Sequence, residues 1–476
     1  MFPLSRFLFA LAILAVPIFA RAAEPAKALE APKTFDLKAI DEYLMAQVKS
    51  KGFVGLSVAM MKDGKIVLAK GYGKSSLKSG AEVGTETLFG AGSVTKQFTC
   101  ACIMMLVEEG KLSVTDKVAK YYPDLTRAQD ITIYDLMSHV SGYPDYYPLD
   151  FIDRRLAKSI ALDKLIQEYA GGKLDFEPGA RWSYSNTGYI LLGRIVEKVT
   201  GKPFGKFLEE RVIRPAGLTH SLFEPTPDTK GVSTGYTSFF LGEPEVATPE
   251  AEGWIHAAGG LFTTPSDLAT WDLALMEGKL LKPESYQLMI APRKLTDGRF
   301  RNYGCGLGIV QRDGETIIRH SGAVSGFHTF NTMIPRVKSA VVLMSNCDHL
   351  DDGAINTELV NLLVKSLATE PEVPKIKGPA AKDAALDFLH QMQNGEIKRD
   401  NLGEEFSIFL SDERIKNAKD RIKALGEPEK VEVESTGERG GMEVAFVRFT
   451  FKSGKVKALL YRTPDGKIQE FLLYKS

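Results

Sequence analysis

After a polar leader come two apolar runs rich in strand-forming residues, FVGLSVAMM at 53–61 and KIVLAKGYG at 65–73, with the polar break Lys62-Asp63-Gly64 between them. Apolar strands around an Asp-Gly pair predict a β-hairpin. Four more strand-like runs come much later: CGLGIVQ (305–311), TIIRH (316–320), GFHTFNTMI (326–334) and SAVVLMSN (339–346). Between the two sets the spacing changes to threes and fours. DKLIQEYAGG, NTGYILLGRIVEKVTG and KPFGKFLEERVIRPAG read as helices with glycine at or near their ends. The simplest arrangement is one antiparallel sheet built from both ends of the unit, with a helical region inserted. A cleft where two such regions meet is a usual place for a site.

From Ala368 the pattern changes. ATEPEVPKIKGPAAK, 368–382, carries prolines and lysines with little apolar periodicity and predicts a linker. DAALDFLHQMQNG then reads as an amphipathic helix, and GMEVAFVRFTF, KVKALLYRT and KIQEFLLYK alternate like a meander, turning at Lys452-Ser453-Gly454 and Pro464-Asp465-Gly466. The fold class expected is α+β throughout: a larger unit over 35–367 and a small α+β accessory domain over 383–476. A length of 476 residues, more than one core usually supports, agrees with two units.

Composition narrows the function classes. Lysine plus arginine (60) equals aspartate plus glutamate (60), so no global field attracts nucleic acid or an anionic membrane, and function must come from a local site. The first residues read as a secretory signal, residues 1–22: Arg6, an apolar run from Phe7 to Phe19, then Ala20-Arg21-Ala22 as the cleavage pattern. The run is short of the roughly 20 apolar residues a membrane span needs, which argues against an uncleaved anchor. A periplasmic or secreted location follows, with no stable membrane span after cleavage. Four cysteines make no disulfide scaffold. Cys100 and Cys102 point to different sides of one helix, while Cys305 and Cys347 fall on strand-like segments and could meet. No CxxC, HxH or HExxH spacing calls for a metal.

The candidate chemistry starts at GAGSVTKQFT, 90–99, where a lysine sits three residues after a serine in a segment that continues apolar through CACIMMLVEEG. Residues three apart share a helix face, so Ser93 at a helix start lies beside the Lys96 ammonium. A serine hydroxyl needs a partner to take its proton. Burial would lower the Lys96 pKa from its reference of roughly 10.4, and a neighbouring carboxylate or phenolate would oppose that, leaving Lys96 as base or as fixed charge. Spacing alone proves little, because Ser75-Ser76-Leu77-Lys78 has it too, in a polar turn with no apolar helix behind it. Tyr184-Ser185-Asn186 precedes a helix: a tyrosine there can shuttle protons if a cation stabilises its phenolate, and the Asn186 amide can hold a substrate amide. A solvated helix cap would have the same letters. His320-Ser321-Gly322 ends a strand, where the glycine lets a substrate backbone lie close, Ser321 supplies a hydroxyl and His320 a switchable positive charge. A histidine half-buried at a turn would also account for it.

Together, Ser93-Val94-Thr95-Lys96, Tyr184-Ser185-Asn186 and His320-Ser321-Gly322 resemble the serine β-lactamase and penicillin-binding-protein superfamily, in the branch of class C β-lactamases, D-alanyl-D-alanine carboxypeptidases, D-aminopeptidases and related esterases. LMSHVSGYP (136–144), YSNTGYILLGRIVEKVTGKPF (184–204) and AAGGLFTTPSDLATW (257–271) are similar to it as well. The resemblance implies a β-lactamase-like antiparallel sheet flanked by helices. It also implies a serine hydrolase acting on a peptide or small-molecule substrate, with no cofactor and no metal. Ser93 would be acylated, Lys96 and Tyr184 would share proton transfer, and Asn186 would hold the substrate amide. The N–H groups of Ser93 and Ala323 would form the oxyanion hole. The departure is His320, where class C β-lactamases carry lysine. A mostly neutral histidine anchors a carboxylate less firmly, which favours D-amino-acid peptides or small esters over β-lactams. A class C-like β-lactamase and a non-catalytic sensor or binding protein are the alternatives.

Overall fold

The computed structural model describes residues 29–147, 154–312, 314–367 and 374–475, so the expected signal at 1–22 lies outside the described residues. The chain divides into two compact units, Met1–Ser366 and Leu367–Ser476.

In the first unit the sequence-distant strands join as one six-stranded antiparallel sheet. Strand Gly308–Arg312 lies at one edge, followed by Glu315–Val324, Phe327–Ile334, Ser339–Ser345, Gly55–Lys62 and Lys65–Gly73. The early hairpin therefore completes the late strands, Leu56 opposite Ser345 and Met61 opposite Ala340. Its turn has φ 52° at Asp63 and 74° at Gly64, the left-handed pair that matches the twist of hairpin strands. Ser339–Ser345 is buried along its whole length, as a central strand covered on both faces must be. Helix Pro265–Met276 packs on this strand and on Gly55–Lys62. Its start is fixed locally, with Pro265 in the first turn and Thr264 Oγ1 accepting from Asp267 N at 3.1 Å.

The inserted region is helical, and helix Thr95–Glu108 is its centre. Every residue from Thr95 to Leu106 is buried. A helix buried all round has no solvent face, so neighbours cover it on all sides, among them helix Asn186–Thr200. All four cysteines are free and buried, so Cys305 and Cys347 do not pair; Cys347 Sγ instead accepts from Val54 N at 3.2 Å.

The second unit is a four-stranded meander, Lys430–Arg439, Met442–Phe451, Gly454–Arg462 and Ile468–Lys475. Strand Met442–Phe451 alternates between half-buried and buried along its length, the period-two pattern of a sheet with one packed face. Its core, with Phe388, Phe449, Leu460 and Phe471, is its own. The helix read from residue 383 begins earlier, at Ala381, inside the stretch expected to be linker.

Candidate active site

Ser93 occupies a single tight turn, Gly92–Val94, that runs directly into helix Thr95–Glu108. Because that helix has no wet face, Lys96 has nowhere to extend its ammonium into water, and it is fully buried. Its Nζ lies 3.0 Å from Ser93 Oγ, 2.7 Å from Asn186 Oδ1 and 2.7 Å from the carbonyl of Ala258. Three partners match the three hydrogens of an ammonium. Burial lowers the Lys96 pKa to about 7, against the pull of Asp145 and a smaller one from Cys100.

Tyr184 lies beside the same lysine, with Lys96 Nζ 4.9 Å from its ring centre. Its hydroxyl is buried and has no hydrogen-bond partner among the described residues; Ser93 is near enough to favour its ionised form but falls outside bonding geometry. Burial outweighs that and raises its pKa, so Tyr184 is a phenol at neutral pH. The expected cation-stabilised phenolate is not what this environment favours. Asn186 begins its helix, its Oδ1 taken by Lys96 and its Nδ2 3.1 Å from Asp145 Oδ1, which also accepts from Asn186 N at 3.0 Å. Asn186 therefore bridges the lysine to a half-buried carboxyl, and holding a substrate amide is left to what remains of its Nδ2 capacity. Ser185 does not cap the helix; its Oγ donates to Pro144 O.

His320-Ser321-Gly322 lies inside a strand, not at its end: Glu315–Val324 continues past it, paired with Phe327–Met333. Its other edge is covered by Gly308–Arg312 only as far as Arg319, which leaves His320 to Val324 open on that side. The Ser93 turn fills the opening. A Cβ on Gly322 would meet Ala91 O at 2.0 Å and Ser93 N at 3.0 Å, and one on Gly92, where φ is 50°, would meet Ala323 N at 2.7 Å. Only glycine permits this approach, which brings the N–H groups of Ser93 and Ala323 together. Two such donors can polarise a carbonyl oxygen held between them.

The expected switchable charge on His320 is corrected by its bonding. His139 Nδ1 accepts from Ser185 N at 3.1 Å, so its proton sits on Nε2 and is donated to Tyr303 Oη at 3.2 Å. The Tyr303 hydroxyl then donates to His320 Nε2 at 2.9 Å, and His320 Nδ1 donates to Ser321 O. Both imidazoles are neutral in this chain. Desolvation, and then the Lys96 charge, lower the His320 pKa to about 4, and burial puts His139 well below its ordinary value.

Ser93, Tyr184, Asn186 and the stretch from His320 to Ala323 line a cleft of about 520 Å³, with Lys96, His139 and Tyr303 behind its wall. Ser321 faces Phe330 and Ala323 faces His328 across the strand pair, so these four side chains share the cleft's sheet face. Among the described lining residues there are three aspartates, Asp145, Asp351 and Asp352, and no lysine or arginine. Asp352 is paired with His328 at 3.1 Å, which raises the His328 pKa; Asp351 Oδ1 accepts from Ala354 N at the start of the last helix of the unit.

The family model described as Beta-lactamase matches residues 40–365. The chain belongs to the beta-lactamase family. Among its relatives, PbpX of Bacillus subtilis, provisionally named a penicillin-binding protein, is 28% identical over 342 residues, 71% of this chain and 81% of that one. The octameric penicillin-binding protein homologue from Pyrococcus abyssi superposes with a TM-score of 0.60 at 22% identity, over 93% of this chain and 96% of that one. The D-amino acid amidase from Ochrobactrum anthropi SV3 gives 0.60 at 24% identity, over 70% and 97%. At these identities the two structures bear on the fold, which is of the serine hydrolase type found in this family.

Within this beta-lactamase fold, sequence reading missed Asp145, His139, Tyr303 and the Ala258 carbonyl. Their signals were present but mute. His139 and the residue just before Asp145 stand in LMSHVSGYP, and Ala258 in AAGGLFTTPSDLATW, two segments similar to the family with no role attached to any residue.

Proposed function

We propose that the chain is an exported serine hydrolase that works through an acyl-enzyme on Ser93 and cleaves amide or ester carbonyls of D-amino-acid peptides or small esters. The observation that carries this is Lys96 Nζ at 3.0 Å from Ser93 Oγ, in surroundings that hold the lysine pKa at about 7. A neutral Lys96 accepts the Ser93 proton as Oγ bonds to the substrate carbonyl carbon. The oxygen, now negative, is held by the N–H groups of Ser93 and Ala323. As the bond to the leaving group breaks, that group takes a proton from the neutral Tyr184 phenol, which recovers one from Lys96. Water then attacks the acyl carbon, giving its proton back through the same groups, and Ser93 leaves as the free hydroxyl.

The cleft's charge supports the substrate class. With His320 neutral, the His328 charge matched by Asp352 and Arg319 lining an adjoining cavity, the carboxylate of a β-lactam is weakly held, whereas exposed Asp351 suits an acyl donor carrying an ammonium group. The solved D-amino acid amidase acts, by its name, on such a molecule. A panel of a D-alanyl amide, a short-chain ester and a chromogenic cephalosporin, run on wild type and Ser93→Ala, tests the reading. Hydrolysis of the amide or ester is expected, falling by about three orders of magnitude or more in the variant, with the cephalosporin turned over least. A rate on all three equal in the two proteins would overturn it.

A further inference from the structure

The hairpin between residues 236 and 247 presents an apolar tip to solvent. Tyr236–Thr237 pairs with Glu245–Val246, and between them Phe239, Phe240 and Leu241 are 75%, 87% and 102% exposed. Gly242 N donates to Phe239 O at 3.1 Å, closing a four-residue turn whose central residues have φ 48° (Phe240) and 64° (Leu241). That left-handed pair is the conformation asparagine and glycine favour, and bulky side chains take it at a cost. The chain thus accepts backbone strain to hold three large apolar side chains in water. Strain that persists in this way points to a use for the segment.

The tip's shape selects the partner. It is convex, and two phenylalanines and a leucine offer roughly 500–600 Å² at most, below the about 800 Å² per side that a stable protein–protein contact buries. A lipid bilayer asks for no matching surface, only apolar side chains on a backbone that satisfies its own hydrogen bonds. The turn does so through Gly242 N to Phe239 O and Ser238 Oγ to Gly242 O at 2.7 Å. The base is firmly held, since Tyr236 N donates to Asn346 O at 3.0 Å and Asp348 N to Tyr236 O at 3.1 Å. The next charged residues are Glu243 and Glu245, which repel anionic headgroups.

We propose that Phe239-Phe240-Leu241 is a membrane-docking tip that inserts into the interfacial layer of a zwitterionic bilayer. The attachment is peripheral, and residues 346–348, which hold the base of the hairpin, lead within two residues into the cleft wall at Leu350–Gly353.

The test is flotation with phosphatidylcholine vesicles, using the chain from Ala23 onward, which omits the Phe7–Phe19 run and keeps every described residue. The double variant Phe240→Asn/Leu241→Gly gives the turn its favoured residues while removing most of the apolar tip, so its melting temperature should equal or exceed that of wild type. Wild type should float with the vesicles, and the variant's partitioning should fall by about tenfold or more. Adding phosphatidylglycerol should not strengthen binding. The proposal is overturned if wild type stays unbound or if the folded variant floats equally well. It is also overturned if binding needs anionic lipid and vanishes in salt, or if wild type forms oligomers that the variant does not, which would make the tip a contact between copies.

Discussion

At Lys96 and Tyr184 the same physical cause has opposite consequences. Burial removes charge from both, so it lowers the lysine pKa to about 7 and raises that of the tyrosine. Groups pushed apart in this way take fixed roles: the lysine can accept a proton at neutral pH and the phenol can only give one. For a neutral ester, kcat/KM is therefore expected to rise with pH as Lys96 loses its proton, about tenfold per unit below the midpoint, and to level off above about 7. Glu224 is also raised to about 7, by burial, in a neighbouring cluster with Glu252, Glu197, Arg194 and His256. Glu224→Gln should leave the limb in place, and so should His320→Gln, because His320 titrates near 4. A limb that moves with either substitution would take the assignment away from Lys96. The Ser93–Lys96 pair was legible because it is local, one helical turn in an apolar context. The state of His320 was not, since it is set by Tyr303 and His139, and the His139–Tyr303 bond spans 164 residues.

Among the elements, the decisive contact is backbone against backbone. Strand Glu315–Val324 leaves an edge open beyond Arg319, and the Ser93 turn is seated against it through Gly92 and Gly322. Gly322→Ala places a methyl 2.0 Å from Ala91 O, where nothing flexible can yield, so the strand and the turn must separate. The expected result is a fall in kcat of about 10²–10³, the usual effect of losing one oxyanion donor, with little change in the circular dichroism spectrum. An unchanged kcat would show that the two N–H groups do not act together. The hairpin and the four late strands could be read from their apolar runs and the Asp63-Gly64 turn. The continuation of the His320 strand through Ser321, Gly322 and Ala323 could not, because residues with so little apolar surface carry no strand signal of their own. Only the pairing with Phe327–Met333 defines it.

At the scale of the whole chain, the candidate chemistry falls within one of the two units. Family similarity covers residues 40–365, and every group assigned to the cleft lies in the first unit. The second unit has an independent core and a buried ion pair, Arg462 Nε to Glu443 Oε2 at 2.7 Å. Two units were foreseeable from chain length and the proline-rich stretch after Ala368, whereas the helix start at Ala381 was not, because alanines preceding a helix look the same as alanines inside it. The proposed function requires that Ser93, in the first unit, become acylated. The most direct test is the intact mass of the whole chain after incubation with a slowly released acyl donor, followed by peptide mapping. One added acyl group is expected, mapped to Ser93 and absent from Ser93→Ala. No adduct from any reactive ester, amide or β-lactam, or an adduct that persists in the variant, would contradict it.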